Sequence, residues 1–231
     1  FYWPMTDKIQ FFAYSPITVT NYTVPDKGYP SFSYVIKAVE LQEDLLAAKV
    51  ENANKTENKT SVNLAFKHIL TQINFSAELE SGVTYTVTKI EIMDVNNTGT
   101  FTYGTGDVVG AWSSLSGKIS YEYAGKYDAT ATDNVADFST NANALMLLPQ
   151  TLSADAKIAV TYSAVKNGFT TFTGTKEVSL KDKVWGIGKN LRYTLKLSSD
   201  ATEVVFTPSV SEWTDETPQP DPVTPVTPLT E

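Results

Sequence analysis

The chain carries one histidine and no cysteine, which narrows its chemistry before any fold is considered. His68 stands in the apolar run Phe66-Lys67-His68-Ile69-Leu70, and no Gly-x-Ser-x-Gly elbow is present to pair a nucleophile with it. A hydrogen-bonded structural histidine is the expectation. Without thiolates, and with one imidazole, the usual zinc sets would have to be built from carboxylates. Asp94-x-Asn96-x-Thr98-Gly99 copies the first half of an EF-hand loop, where alternate side chains offer oxygen and glycine makes the turn. The second half fails, because Thr105 stands where a bidentate glutamate is needed, so a plain hairpin turn is expected there. Paired carboxylates suffice for glycoside hydrolysis, yet the acids are scattered in turns and on wet strand faces, as at Glu122, Glu177 and Glu203, where solubility accounts for them. Gly104-x-Gly106 and Gly186-x-Gly188 lack the third glycine and the strand-to-helix setting of a dinucleotide loop and read as turns. Trp112, in a loop, could stack on a sugar ring, whereas Trp3, Trp185 and Trp213 read as packing. No catalytic, cofactor-binding or metal-ligating set is assigned.

The elements that would position these residues are strands. Hydrophobic residues make up 42% of the chain and charged ones 19%, with Thr, Ser, Asn and Tyr where helical cytosolic proteins carry Glu and Lys. Thr and Tyr favour half-buried pleated surfaces, so the composition is that of an all-β, secreted type of protein. A net charge of −8, with no basic cluster, repels phosphate backbones and makes nucleic acid an unsuitable partner. No run of 18 apolar residues occurs, so no transmembrane helix is expected. The five Asn-x-Ser/Thr matches, at Asn21, Asn54, Asn58, Asn74 and Asn96, are what an Asn/Thr-rich composition yields by chance.

Period-two alternation marks the strands. Leu191, Tyr193, Leu195 and Leu197 alternate with Arg192, Thr194 and Lys196; Ile158, Val160 and Tyr162 form a second such set; Ile119, Tyr121 and Tyr123 form a third. Further runs are 9–14, 32–37, 45–50, 62–75, 84–93, 99–103, 144–148, 169–180 and 203–210. Residues 51–60 carry no large apolar side chain and have nothing to bury, which marks a boundary. The expected division is 1–58, the C-terminal part of an N-terminal β-sandwich domain, then 59–214, a complete β-sandwich domain, then 215–231, an extended Pro-rich tail. Three strands before the boundary leave many open edges. In the tail, Pro222, Pro225 and Pro228 recur every third residue, matching polyproline II, so Val223, Val226 and Leu229 share one edge of a rod and form a candidate partner-facing set.

Six segments in this order and spacing, Phe1-Tyr2-Trp3-Pro4, Phe11-Phe12-Ala13-Tyr14-Ser15-Pro16, Leu64-Ala65-Phe66-Lys67-His68-Ile69-Leu70, Leu147-Leu148-Pro149-Gln150, Trp185-Gly186-Ile187-Gly188-Lys189 and Ser211-Glu212-Trp213, resemble the fimbrillin-like (Mfa-like, type V pilin) family of Bacteroidales cell surfaces. The resemblance runs from Phe1 to about Trp213. It implies two tandem transthyretin-like Greek-key β-sandwich domains, the first incomplete, in a structural or accessory subunit of a fimbria and not an enzyme. It implies no cofactor. It also implies a lipidated precursor at the outer membrane and cell surface, removal of an N-terminal segment, and donor-strand assembly with other pilin subunits. Since family members carry the Phe-Tyr-Trp-Pro-like segment inside their N-terminal domain, an upstream portion is expected before Phe1. Arg192, the one arginine, would be the one internal site for an Arg-directed processing protease. The Pro-rich tail departs from a strand-like donor and leaves room for a surface module that binds a host glycan or protein, or for a β-sandwich hydrolase.

Overall fold

A computed structural model describes residues 3–4, 6–56, 61–123, 135–138, 144–200 and 204–213. The described chain is all-β, with a single turn of 3-10 helix at Val39–Leu41. In chain order the strands are β1 (Ile9–Ser15), β2 (Thr20–Thr23), β3 (Ser31–Val35), β4 (Leu46–Ala53), β5 (Lys67–His68), β6 (Thr71–Glu78), β7 (Val83–Tyr103), β8 (Gly110–Glu122), β9 (Val135–Asp137), β10 (Leu145–Leu147), β11 (Lys157–Lys166), β12 (Phe169–Ser179), β13 (Lys189–Lys196) and β14 (Val205–Glu212). They form three sheets. A small one has the order β1-β4-β5; a second has β10-β6-β13-β14 with β9 beside β6; the third has β12-β11-β7-β3-β2 with β8 beside β7.

The third sheet is built on the long hairpin β7–β8. One half of β7 pairs with β11, from Val83 to Met93, and the other half with β3, from Thr98 to Thr102. The ladder therefore crosses between residues 1–58 and 59–214. The inward positions of β7 change parity along the strand: Val83, Tyr85 and Val87, then Ile90 and Ile92, then Val95, Phe101 and Tyr103. Register shifts opposite Thr161/Tyr162 and between Ile92 and Val95 make those changes. Each bulge adds a residue that would otherwise turn an apolar face outward, and it bends the strand while keeping that face on the core.

This corrects three sequence expectations. Residues 94–99 do not make a hairpin turn: they run inside β7, with the needed departure from strand geometry confined to Asp94 at φ +58°. The expected strand 62–75 is interrupted, because Ile69 and Leu70 leave the ladder between β5 and β6 and point fully into the core. β4 also continues to Ala53, into the stretch read as a boundary.

One contiguous core joins all three sheets, with Phe32, Ile69, Leu70, Phe75, Phe101, Tyr123, Leu145 and Trp185 among its buried members. It is rich in tyrosine. The buried phenols reach backbone carbonyls across the layers: Tyr85 to Leu197 at 3.2 Å and Tyr103 to Ala13 at 2.6 Å. An aromatic body fills the core while its hydroxyl finds a backbone acceptor.

Two predictions follow from this arrangement. Burial pushes the Tyr34, Tyr85 and Tyr121 hydroxyls up to about 12, with Glu43 and Asp44 adding to the shift at Tyr34. Phenols raised in the folded state lend stability that is complete below the ordinary value of 10 and is lost as pH climbs from 10 toward 12. The share of tyrosinate absorbance near 295 nm that belongs to these buried phenols, above the earlier rise from exposed tyrosines such as Tyr22, should appear together with loss of the β circular dichroism signal. Arg192, in turn, lies in β13 between β6 and β14, opposite Asn74 and Ser209, and donates to Asp137 at 2.8 Å. An Arg-specific protease should leave the folded chain intact by mass and cut it once after denaturation.

Candidate functional site

Four of the short segments singled out in the sequence meet in space. Gly188 N–H donates to the Leu70 carbonyl, and Trp213 N–H donates to the Gly188 carbonyl, each at 2.9 Å. Thr71 Oγ1 donates to the Gly186 carbonyl at 2.8 Å. The Gln150 and Trp185 backbones exchange both hydrogen bonds, at 3.1 and 2.9 Å, and the Trp185 indole donates to the Tyr193 hydroxyl at 2.8 Å. Gly188 sits at φ +63°, and a Cβ there would approach the His68 carbonyl to 3.0 Å; glycine satisfies both demands at once.

His68 takes the structural place expected of it. Its ring stacks on Trp213 with centroids 4.0 Å apart and planes 6° from parallel, and its Nδ1 lies 2.7 Å from Asp44 Oδ2. Beside this stack opens a cleft of about 520 Å³, walled by Phe66, Val108, Ile187, Gly188 and Trp213. Its rim carries Lys67, Asp107 and Glu212. Phe66 and Val108 remain 45% and 59% exposed, large apolar side chains standing in an open groove.

Gln150 closes the break in β7. Its side-chain oxygen accepts from Asn96 N–H at 3.0 Å, and its amide nitrogen donates to the Asn96 carbonyl at 3.0 Å and to the Leu148 carbonyl at 3.1 Å. A side-chain amide thus stands in for a strand neighbour just past the bulge, where the backbone groups would lack a partner.

A second cleft, of about 560 Å³, lies between β1 and β2. Gln10, Phe11 and Phe12 line one side, and Tyr22, Val24, Pro25 and Pro30 the other. β1 is bonded only to β4 and β2 only to β3, so among the described residues each has a free outer edge. Phe11, Phe12, Ala13 and Tyr14 are all half-buried, in contrast to the fully buried inward positions of β11 and β13. Phe12 packs on Tyr29 and Tyr103, at centroid distances of 5.9 and 5.0 Å, Tyr14 on Phe32 and on Tyr22 of β2, at 5.4 and 5.3 Å, and Phe11 on Trp3 at 6.2 Å. The sequence reading missed this site, since Tyr22 lies in a short strand exposed on both faces, which carries no alternation, and the exposed Val24 follows that strand.

The remaining expected positions fall as follows. Trp112 is half-buried in β8, its ring edge-on to Phe32 and tilted on Phe101, with its indole donating to the Ile69 carbonyl at 2.6 Å; its remaining surface faces a shallow groove with Leu115, Val184 and Ile187. Asp94, Asn96 and Thr98 lie along a strand and not around a loop, which removes the EF-hand geometry. Glu122 and Glu177 face Lys89 and Lys157 at 3.7 and 2.9 Å on the solvent side. Glu203, Val223, Val226 and Leu229 lie outside the described residues.

Residues 1–213 match the fimbrillin-like family model. The chain is 24% identical to fimbrium subunit Fim1C of Phocaeicola vulgatus, over 93% of this chain and 71% of that one. A fimbrial protein from Bacteroides vulgatus shares its fold at a TM-score of 0.71 and 22% identity, covering 92% of this chain and 80% of the other. A candidate cell adhesion protein from Bacteroides uniformis follows at 0.56 and 18%, covering 93% and 77%.

Gln150→Leu should test the junction, because the apolar side chain fills the space but leaves the Asn96 N–H and carbonyl without their partner. Loss of about 2–4 kcal/mol of unfolding free energy is expected, read as a lower urea midpoint with an unchanged folded circular dichroism spectrum.

Proposed function

The chain belongs to the fimbrillin-like family, and on that footing we propose that it is a structural or accessory subunit of a cell-surface fimbria that joins its neighbours by β-augmentation. The observation that carries the reading is the cleft between the free edges of β1 and β2. An extended segment of another subunit entering there would pair with unpaired backbone groups and cover the half-buried Phe11 and Phe12 and the exposed Tyr22. Such a contact joins two different surfaces, so it does not close on itself, and repetition grows a fibre. The relatives' descriptions as fimbrial and adhesion proteins support the same role. Within it, residues 1–58 are taken as the incomplete receiving domain and 59–214 as the second sandwich. In this reading residues 215–231 are a Pro-rich tail whose Val223, Val226 and Leu229 edge meets a partner. The subunit would reach the surface as a lipidated outer-membrane precursor.

A second reading, binding of a host glycan or protein, has one observation in its favour: part of the Trp112 ring reaches a groove of about 350 Å³. Its indole N–H is already engaged by the Ile69 carbonyl, which leaves stacking as the only contribution that ring could make.

Polymerisation decides between the two. The precursor, treated with its processing protease, should give ladders on unboiled denaturing gels without added ligand. The double substitution Tyr22→Lys, Val24→Asp places charge in the cleft at exposed positions. It should abolish the ladder while leaving the monomer folded. Ladders of undiminished length from that variant would place assembly elsewhere.

A further inference from the structure

The cleft beside His68 and Trp213 is not used by the assembly reading, and its chemistry differs from that of the β1/β2 site. Among the described residues strands reach it only with their ends, Lys67 and His68 of β5, Gly110 of β8 and Glu212 of β14, and the rest of its lining is the loop at Asp107–Val109, the turn at Ile187 and Gly188, Phe66 and Trp213. What it offers is an aromatic and aliphatic trough with Phe66 and Val108 standing open at the rim. Trp213 is held by the backbone bond to Gly188 and by the stack on His68, a ring fixed in turn by Asp44. A trough built on a fixed tryptophan suits a ligand that is itself stiff and brings regularly spaced apolar groups, which is how polyproline II segments are recognised.

The chain carries such a segment. Trp213 is both a wall of the cleft and the residue from which 214–231 continues. From Pro222 to Thr230 the order Pro, then Val or Leu, then Thr repeats three times. On a helix of three residues per turn, Val223, Val226 and Leu229 line one edge at intervals of roughly 9 Å. Residues 214–221, with two prolines and three acids, separate this rod from its root, and a Pro-containing, charged spacer of that length reaches up to about 25 Å. Tethering at that range corresponds to an effective concentration of about a millimolar, above what a second copy supplies in dilute solution.

We infer that the cleft walled by Phe66, Val108, Ile187 and Trp213 is the docking site of the chain's own segment 222–229, bound as a polyproline II rod through Val223, Val226 and Leu229. The inference goes beyond the fibre-subunit reading and does not depend on it. In the free subunit the apolar edge of the tail is then covered, and a partner that uses that edge must displace it from the cleft.

Photo-crosslinking in the full chain tests this. A benzoylphenylalanine replaces Val226 in one sample and Thr227 in another, each mixed equally with a 15N-labelled copy and irradiated. Fragment mass spectrometry then locates the links. Links from position 226 to residues 66–68, 107–110 or 187–188, within one isotopic copy, are expected, with far fewer from position 227 on the neighbouring edge. Phe66→Ser combined with Val108→Ser alters exposed side chains only and should lower the yield roughly tenfold. Links joining light to heavy copies would make a second molecule the occupant and overturn the assignment. Links outside the cleft, or a yield unaffected by the double substitution, would overturn it as well. The measurement uses unprocessed monomer, so its outcome is separate from that of the polymer ladders.

Discussion

A backbone amide that leaves its ladder at a bulge must find another partner, and the organisation of this molecule follows from how that demand is met in β7. The strand changes the parity of its inward face as it runs from the β11 side of the sheet to the β3 side. At the second change Asn96 is bonded by the Gln150 side chain. Gln150 is in turn fixed by its exchange of backbone hydrogen bonds with Trp185. Trp185 is the largest of the fully buried side chains, and the turn that follows it carries Gly188, which holds Leu70 and Trp213. The segments on either side of the junction are thus ordered by one connected set of bonds. Buried polar groups that are all satisfied rigidify their surroundings; the same groups left half-satisfied would weaken them.

How far the sequence foretold this differs by element. β11, β12 and β13 were legible because each has one wet face, so alternation is visible. β7 was read as two strands and a turn, because Asn96-Asn97-Thr98-Gly99 is turn chemistry. The structure uses the same residues differently: Gly99 lets Leu115 and Trp112 pack close, since a Cβ there would meet them at 2.8 and 3.1 Å. Glycine's permissiveness signals either a turn or a close approach, and local sequence does not distinguish them. β2 and the first part of β8 escaped notice because most of their side chains are exposed on both faces. The parallel pairing of β6 with β13, such as Ile73 with Leu191, links positions far apart in the chain, and no local pattern encodes it.

The candidate sites show the same division. His68 could be assigned a structural task from its apolar setting, but its stacking partner lies at the far end of the described chain. Trp213 and Trp185 stood out as motif residues, and both prove to be packing residues at the junction. The β1/β2 cleft was foreshadowed only as a shortage of strands. Its location depends on β2 and β3 pairing with the long hairpin and not with β1 and β4, which is a choice of topology. Composition predicts that edges exist, while the order of strands decides which edges remain free.

The long hairpin β7–β8 has a mechanical corollary. Its ladder extends from Glu91 and Glu122 to Tyr103 and Gly110, shifting register between Ile92 and Val95 and between Thr98 and Thr100, and it is anchored at one end by β11 and at the other by β3. A pull along its axis between those anchor points loads many parallel hydrogen bonds in shear, so they must yield together and cannot peel one at a time. Tension of that direction would be borne by the third sheet with little lengthening, whereas a sideways force at a free edge would meet bonds that part in succession.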